Sequence, residues 1–300
     1  MNRPEFLKKG DNIALAAPAG KVDSEKITGA VDVLENWGLS VLIGDHVNDS
    51  YFNYASTDEN RLSDFQQMLD DPAVKAILCA RGGYGTNRII DQLDFSTFRK
   101  NPKWIIGFSD ITVLHSHIQK HFGIETLHGS MAAGLKNSGQ FPETAETFRK
   151  ALFGEKLKYE WKSDELVRKG KTKGILTGGN LAILSTMIGT PSEVDFSDKI
   201  LFIEEVGENL YRIDRMMMQL KRSGKLENLA GLIVGGMTDI PDKKEEFGKS
   251  AFEIVAEAVE EYDYPVAIGF PAGHTDDNRA LVLGREVELE VEEEEGVLVF

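Results

Sequence analysis

The 300-residue chain contains one cysteine, Cys79. A lone thiol cannot close an intrachain disulfide, which excludes a disulfide-stapled secreted scaffold. It stands in the apolar run VKAILCA, where a free cysteine behaves as a small buried hydrophobe. Excess positive charge is also missing. Lys and Arg total 34 against 49 Asp and Glu, a net charge of -15. Nucleic acid and anionic membranes are bound through basic patches, so neither is an expected partner. No apolar run approaches the roughly 20 residues of a membrane helix; IALAAPAG and GLIVGG are far shorter. The N-terminal segment MNRPEFLKKGDN lacks the charged, apolar and small-residue pattern of a secretory signal. Together these absences lead us to expect a cytoplasmic protein. No fixed-period repeat is found, and the acidic run Glu292 to Glu295 reads as a solvated turn.

What is present is an ordinary globular composition, 41% hydrophobic and 28% charged, sufficient for one large domain or two modest ones. Near-continuous apolar segments alternate with segments of helical period. NIALAAPAG, LSVLIG, VKAILCA, KWIIGF and IETLHG read as strands. Between them, Ile27, Val31, Leu34 and Trp37 recur at helical spacing, as do Leu62, Phe65 and Leu69. Asp23 or Ser24 can cap the first of these helices, and Gly38 can stop it. TNRIIDQL starts another helix, and Asp110 to His121 is a further one, stopped by Gly123. This alternation predicts an α/β fold whose parallel sheet is covered on both faces, with ligands beyond the carboxyl ends of the strands.

After a helix at about 142–155, KLKYEWKSDELVRKGKTKG turns polar. We therefore expect an N-terminal α/β domain over 1–155, a linker over 156–172 with a strand at KYEW, and a C-terminal domain over 173–300. The second half reads as strands GILTGG, KILFIEEVGE, AGLIVGG and PVAIGF, with helices at NLAILSTMIG, LYRIDRMMMQLKRSG and about 248–262. VELEVE alternates apolar and acidic residues, as a half-exposed antiparallel strand does.

Ser109 follows the strand WIIG through Phe108 and precedes a helix. A strand, a tight turn, a serine and a helix form the layout of a nucleophile elbow, in which the next backbone N–H serves an oxyanion. The second glycine of G-x-S-x-G is missing, and on local pattern a helix N-cap is the more ordinary role. A nucleophilic serine needs a base and an orienting acid. Among the six histidines, His117 and His121 are four apart and could share a metal. They lack the HExxH context and read as a solvated helix surface, so no metal is expected. His128 in TLHGS ends a strand and can line the same cleft. His274 stands in the Gly/Pro-rich loop GFPAGHTDDN, where strand-end loops place side chains in clefts. Glu204 and Glu205 end the apolar strand KILFI, a costly place for an unpaired carboxylate. Strand alternation does not decide which of the two points inward, and an ion pair with an arginine of YRIDR is the structural alternative.

RGGYGTNR, residues 81–88, follows another strand. Arg88 takes the place of the last glycine of a dinucleotide fingerprint, so no cofactor is expected. Consecutive glycines suit a turn whose N–H groups face an anion. That turn can supply a second oxyanion donor, with Arg81 and Tyr84 contacting a substrate carboxylate or peptide.

ARGGYGTNRIID, IIGFSDITVLH, LHGS, ILFIEEVGENLYRIDRMMMQL and GFPAGHTDDN occur in that order, and the chain thereby resembles the LD-carboxypeptidases, the muramoyl-tetrapeptide carboxypeptidases and their relatives. The resemblance runs from GDNIALAAPAG to ALVLG. It implies a serine peptidase with Ser109 as nucleophile, Glu204 as acid, His274 as base, and the backbone N–H groups of Gly83 and Asp110 as the oxyanion hole. The implied fold is an N-terminal parallel-sheet domain resembling class I glutamine amidotransferases, with a C-terminal mixed α/β domain of barrel-like character. The site lies between the two, and the family commonly forms homodimers. The chain departs from the family at His128-Gly129-Ser130, where many members have His-Gly-Pro; this bears on loop geometry and leaves the triad untouched.

The implied reaction releases the terminal D-Ala from a small muropeptide, the murein tetrapeptide, during cell-wall recycling, without a cofactor. A second branch, the microcin immunity proteins, cleaves an amide in a peptidyl-nucleotide; its members are longer, so a compact chain favours the murein branch. The rival classes are a non-catalytic peptide-binding module and a Rossmann-type oxidoreductase.

Overall fold

The computed structural model describes residues 2–135, 141–162 and 168–300. Five strands come from the first half: β1 (Asn12–Ala16), β2 (Ser40–Ile43), β3 (Val74–Cys79), β4 (Trp104–Gly107) and β5 (Thr126–His128). The remainder are β6 (Lys158–Lys162), β7 (Gly170–Asn180), β8 (Lys199–Val206), β9 (Gly231–Thr238), β10 (Val266–Ile268), β11 (Leu281–Leu283), β12 (Glu286–Val291) and β13 (Glu295–Val299). They build two sheets of a mixed α/β fold. The first has the order β11-β5-β4-β3-β1-β2 and the second β10-β9-β8-β7-β12-β13-β6.

The first sheet is parallel from β2 to β5. Its inner strands are buried along most of their length because helices cover them, which is why VKAILC and WIIG carry apolar residues at successive positions. β11 joins this sheet antiparallel to β5, with Leu281 opposite His128. A short piece of the second half thus completes the first sheet, which the apolar pattern of RALVLG did not foretell.

The second sheet is parallel from β10 to β7 and antiparallel from β7 to β6. β12 buries Val287, Leu289 and Val291 while its glutamates face outward, as its alternation predicts. β6 realises the strand expected at KYEW, with Tyr159 and Trp161 turned inward. Residues 163–167 of the expected linker lie outside the described residues.

Helix ends follow local chemistry only in part. Thr57 caps the helix Asp58–Asp70 through Asn60 N–H, 3.3 Å away, and Gly123 stops Thr112–Phe122 in the left-handed conformation. Asp23 occupies the N-cap position of Ser24–Asn36 without a side-chain capping bond. TNRIIDQL folds only as the single turn Thr86–Ile89 and a 3-10 turn. The helix expected over about 248–262 is shortened to Ala251–Ala258, started by the reciprocal capping of Ser250 and Glu253.

The two halves share their cores. Ile111, Val113 and Leu114 from the segment after β4 pack with Leu181, Leu184, Leu201 and Ile203. Fully burying one such side chain contributes roughly 1.5–3 kcal/mol. Polar ties cross the same seam: Thr177 Oγ1 donates to Gln119 Oε1 at 2.7 Å, and Asn180 N–H donates to Thr112 Oγ1 at 3.1 Å. This docking brings the carboxyl ends of β3, β4, β7 and β8 to one place.

Candidate active site

Ser109 opens a 3-10 turn directly after Phe108, and the α-helix begins only at Thr112. Neither helix start receives a side-chain capping bond, so the N-cap role is not the one Ser109 plays. Its φ is +63°, a left-handed conformation costing a non-glycine residue about 1–2 kcal/mol. The glycine turn after β3 lies against it. A Cβ added to Gly82 would come within 2.9 Å of Ser109 Cβ and 3.1 Å of its Oγ, so only glycine permits this approach.

Glu204 and Glu205 are both buried, as neighbours facing opposite sides of a strand that is covered on both faces. The β8–β9 register shifts between Ile203 and Glu205, a bulge of the kind that re-aims side chains. Glu204 Oε2 lies 2.6 Å from His274 Nδ1 and accepts the His274 backbone N–H at 3.3 Å. Gly273 makes this possible, because a Cβ there would fall 2.6 Å from Glu204 Cβ. Glu205 turns elsewhere: it accepts from Asn180 Nδ2 at 3.1 Å, Ala182 N at 2.7 Å and its neighbour Val206 N at 2.9 Å. The arginines of YRIDR reach neither carboxylate; Arg212 pairs with Glu208.

Burial pushes the His274 imidazole down, but the hydrogen bond to Glu204 and the charges of Glu204, Glu205 and Asp239 outweigh it. The net effect is a pKa above the usual 6.5. With Nδ1 engaged by the carboxylate, Nε2 is the ring nitrogen left for proton transfer. The ring also packs edge-on against Phe108, the residue before Ser109, with centroids 4.8 Å apart.

Ser109 and His274 line one cavity of about 650 Å³, together with Arg81, Gly83, Phe108 and Asp276. Arg81 is exposed, and its Nη1 donates to the Lys21 carbonyl at 3.1 Å. Tyr84 is 53% exposed and packs beside Tyr54, outside the cavity wall. The expectation that His128 lines the cleft is corrected. It is fully buried in β5 beneath Phe108 and against Phe202, and burial with the nearby His115 and His274 pushes its pKa well down. Its neighbour Ser130, at the position of the family departure, does line the cavity.

The other candidates are held apart from this site. His115 is buried with Nε2 2.9 Å from the Gly107 carbonyl, and burial lowers its pKa to about 4. His117 and His121 bond to Ser192 Oγ and the Pro191 carbonyl, each at 2.9 Å; His117 is half-buried, and His121 is exposed, as expected of a helix surface. Burial, then His121, lowers the His117 pKa to about 4. Among the described residues no three His, Cys, Asp or Glu side chains cluster as metal ligands. Cys79 is buried, and burial pushes its thiol up, away from reactivity. No helix among the described residues is long and apolar enough to cross a membrane.

Several supporting residues escaped the sequence reading. The sequence points to the backbone N–H of Asp110, and in the structure its carboxylate also accepts the Thr86 N–H at 2.8 Å. Buried Arg61 donates to the Pro18, Gly85 and Ser56 carbonyls beneath the glycine turn. Asn180 joins Thr112 to Glu205 and also caps the following helix through Ile183 N. An arginine in a helical segment and an asparagine after Gly-Gly signal nothing until the two halves meet.

Known proteins resemble this chain over nearly its whole length. The LD-carboxypeptidase N-terminal domain matches residues 13–129 and the LD-carboxypeptidase C-terminal domain residues 173–289. A probable murein peptide carboxypeptidase of Bacillus subtilis is 36% identical over 299 residues, covering 99% of this chain and 94% of that protein. The crystal structure of muramoyltetrapeptide carboxypeptidase from Oxalobacter formigenes superposes with a TM-score of 0.87 at 30% identity, over 96% of this chain and 98% of that one. An MccF-like protein from Bacillus anthracis superposes with a TM-score of 0.88 at 25% identity, over 99% of each chain.

Proposed function

The chain belongs to the LD-carboxypeptidase family and is a peptidase, and from that membership we propose that it is a serine carboxypeptidase releasing the terminal D-Ala of murein tetrapeptides. The observation that carries the assignment of roles is the buried Glu204–His274 pair, 2.6 Å apart, opening into the cavity that Ser109 lines. Neutral His274 takes the Ser109 proton on Nε2, and Oγ attacks the carbonyl of the L-centre. The N–H groups of Gly83 and Asp110 hold the oxyanion. His274 then protonates the leaving D-Ala amine, and water, activated by the same imidazole, clears the acyl-enzyme. Glu204 fixes the Nδ1–H tautomer and stabilises the imidazolium. Arg81, the cation in the cavity wall, takes the substrate's terminal carboxylate.

The same reading divides the chain into domains over 1–155 and 173–300, joined by 156–172. It likens the first to class I glutamine amidotransferases, gives the second barrel-like character, and places a homodimer in the cytoplasm. Mass spectrometry of products from murein tri-, tetra- and pentapeptides tests the substrate. Loss of one D-Ala from the tetrapeptide alone is expected. Cleavage of a peptidyl-nucleotide with the murein peptides left intact would place the chain with the MccF-like branch instead.

A further inference from the structure

We propose that the Asp110 side chain is a positioning residue: its carboxylate clamps the glycine turn to the serine turn and so sets the spacing of the two oxyanion donors. The inference rests on the reading of Ser109 as nucleophile and extends it to how the hole is built. The donors belong to different turns, Gly83 after β3 and Asp110 after β4. Something must hold those turns in register, because a donor misplaced by about 1 Å loses most of its effect, on the order of 10²-fold in rate.

Asp110 is 1% exposed, and its Oδ2 accepts the backbone N–H of Thr86 at 2.8 Å. Thr86 is fully buried and directly follows the turn that carries Gly83. The bond therefore runs from the residue beside the nucleophile to the far end of the glycine turn. The near end is fixed separately, where the Gly82 carbonyl accepts Gly20 N–H at 2.9 Å. Arg61 Nη1 donates to the Gly85 carbonyl at 3.0 Å and supports the turn from below. The turn is thus pinned at three points, and of these three the Asp110 bond is the one that ties it to the serine turn. The fit between the two turns is tight, since a Cβ on Gly82 would lie 2.9 Å from Ser109 Cβ.

A carboxylate is an expensive choice for this bond. Burial raises the Asp110 carboxyl above the usual carboxylate range, opposed by the hydrogen bonds from Thr86. A single helical turn such as Thr86–Ile89 needs no buried charge to start it. A carboxylate on the nucleophile's neighbour nevertheless spans the gap, and a clamp explains its place.

The test compares wild type, Asp110→Asn and Asp110→Ala by kcat and KM on the murein tetrapeptide and by the rate at which a fluorophosphonate modifies Ser109. Phosphonylation needs the oxyanion hole but no peptide recognition. In Asp110→Ala, kcat and the phosphonylation rate should fall together by about 10²-fold, with KM changed by less than about threefold. Asp110→Asn retains an acceptor for Thr86 N–H and should restore most of both rates. If Asp110→Ala does not fold, Asp110→Ser, too short to reach Thr86, carries the same expectation. Wild-type rates in the folded Ala or Ser variant, with only a lowered melting temperature, would overturn the clamp. So would an Asn variant as slow as Ala. Wild-type protein that reacts at another serine, or at none, refutes the reading of Ser109 itself, a result distinct from either.

Discussion

Glu204 Oε2 and His274 Nδ1 lie 2.6 Å apart, and the next residue along the strand, Glu205, is turned to Asn180 and Ala182 instead. The two carboxylates therefore have separable effects. Glu204→Gln should lower kcat by about 10⁴-fold, because an amide no longer fixes the productive imidazole tautomer. Glu205→Gln weakens the cap on the helix Leu181–Thr186 and should chiefly lower the melting temperature. Steady-state kinetics and thermal unfolding of both variants check this. Equal kinetic loss in Glu205→Gln would reverse the assignment.

The pH profile follows from the same pair. The base must be neutral to accept the serine proton, and its pKa lies above 6.5. Activity should therefore rise with pH through a value above 6.5 in kcat/KM, which reports the free enzyme. In Glu204→Gln the charge of Glu204 and its charged hydrogen bond are lost, while Glu205 and Asp239 remain and burial still lowers the imidazole. The residual activity should titrate at lower pH than in wild type. An unshifted acid limb would show that another group controls it.

Ser109 is held at φ +63°, so its replacements should divide by backbone preference. Ser109→Ala removes the nucleophile, with a kcat loss of about 10⁴ to 10⁶-fold, and keeps the strain. Ser109→Gly is equally inactive but should be more stable than Ser109→Ala by about 1 kcal/mol, since glycine adopts positive φ freely. Denaturant unfolding of the pair measures the difference; a glycine variant no more stable than alanine contradicts the strained turn.

Arg81 lines the cavity and is anchored only to the Lys21 carbonyl among the described contacts. Loss of a charge-assisted hydrogen bond costs about 1.5–3 kcal/mol. Arg81→Ala should raise KM for the free-acid tetrapeptide by roughly 10 to 10²-fold, with a smaller effect on its C-terminal amide. Equal effects on acid and amide would remove Arg81 from carboxylate recognition.

What the sequence made legible was strand and loop chemistry. Buried parallel strands announce themselves as apolar runs, and a serine, a Gly-Gly turn and a histidine loop at their ends stand out as site material. Relations between distant segments were hidden. The choice between Glu204 and Glu205 depends on which face of β8 meets the His274 loop, which alternation in a strand buried on both faces cannot express. His128 ends a strand, which by itself points to a cleft residue; the return of β11 beside β5 and the rings of Phe108 and Phe202 bury it. Asp110 was legible as a backbone donor only, since its partner Thr86 is 24 residues away in sequence.

The central claim is that Ser109 carries the acyl group, and acid-quenching the enzyme during turnover of a murein tetrapeptide tests it most directly. Digestion and mass spectrometry should find the peptide bearing Ser109 heavier by the substrate less D-Ala, with no such adduct in Ser109→Ala. An adduct on Ser130, which lines the same cavity, or turnover persisting in Ser109→Ala, would contradict the account.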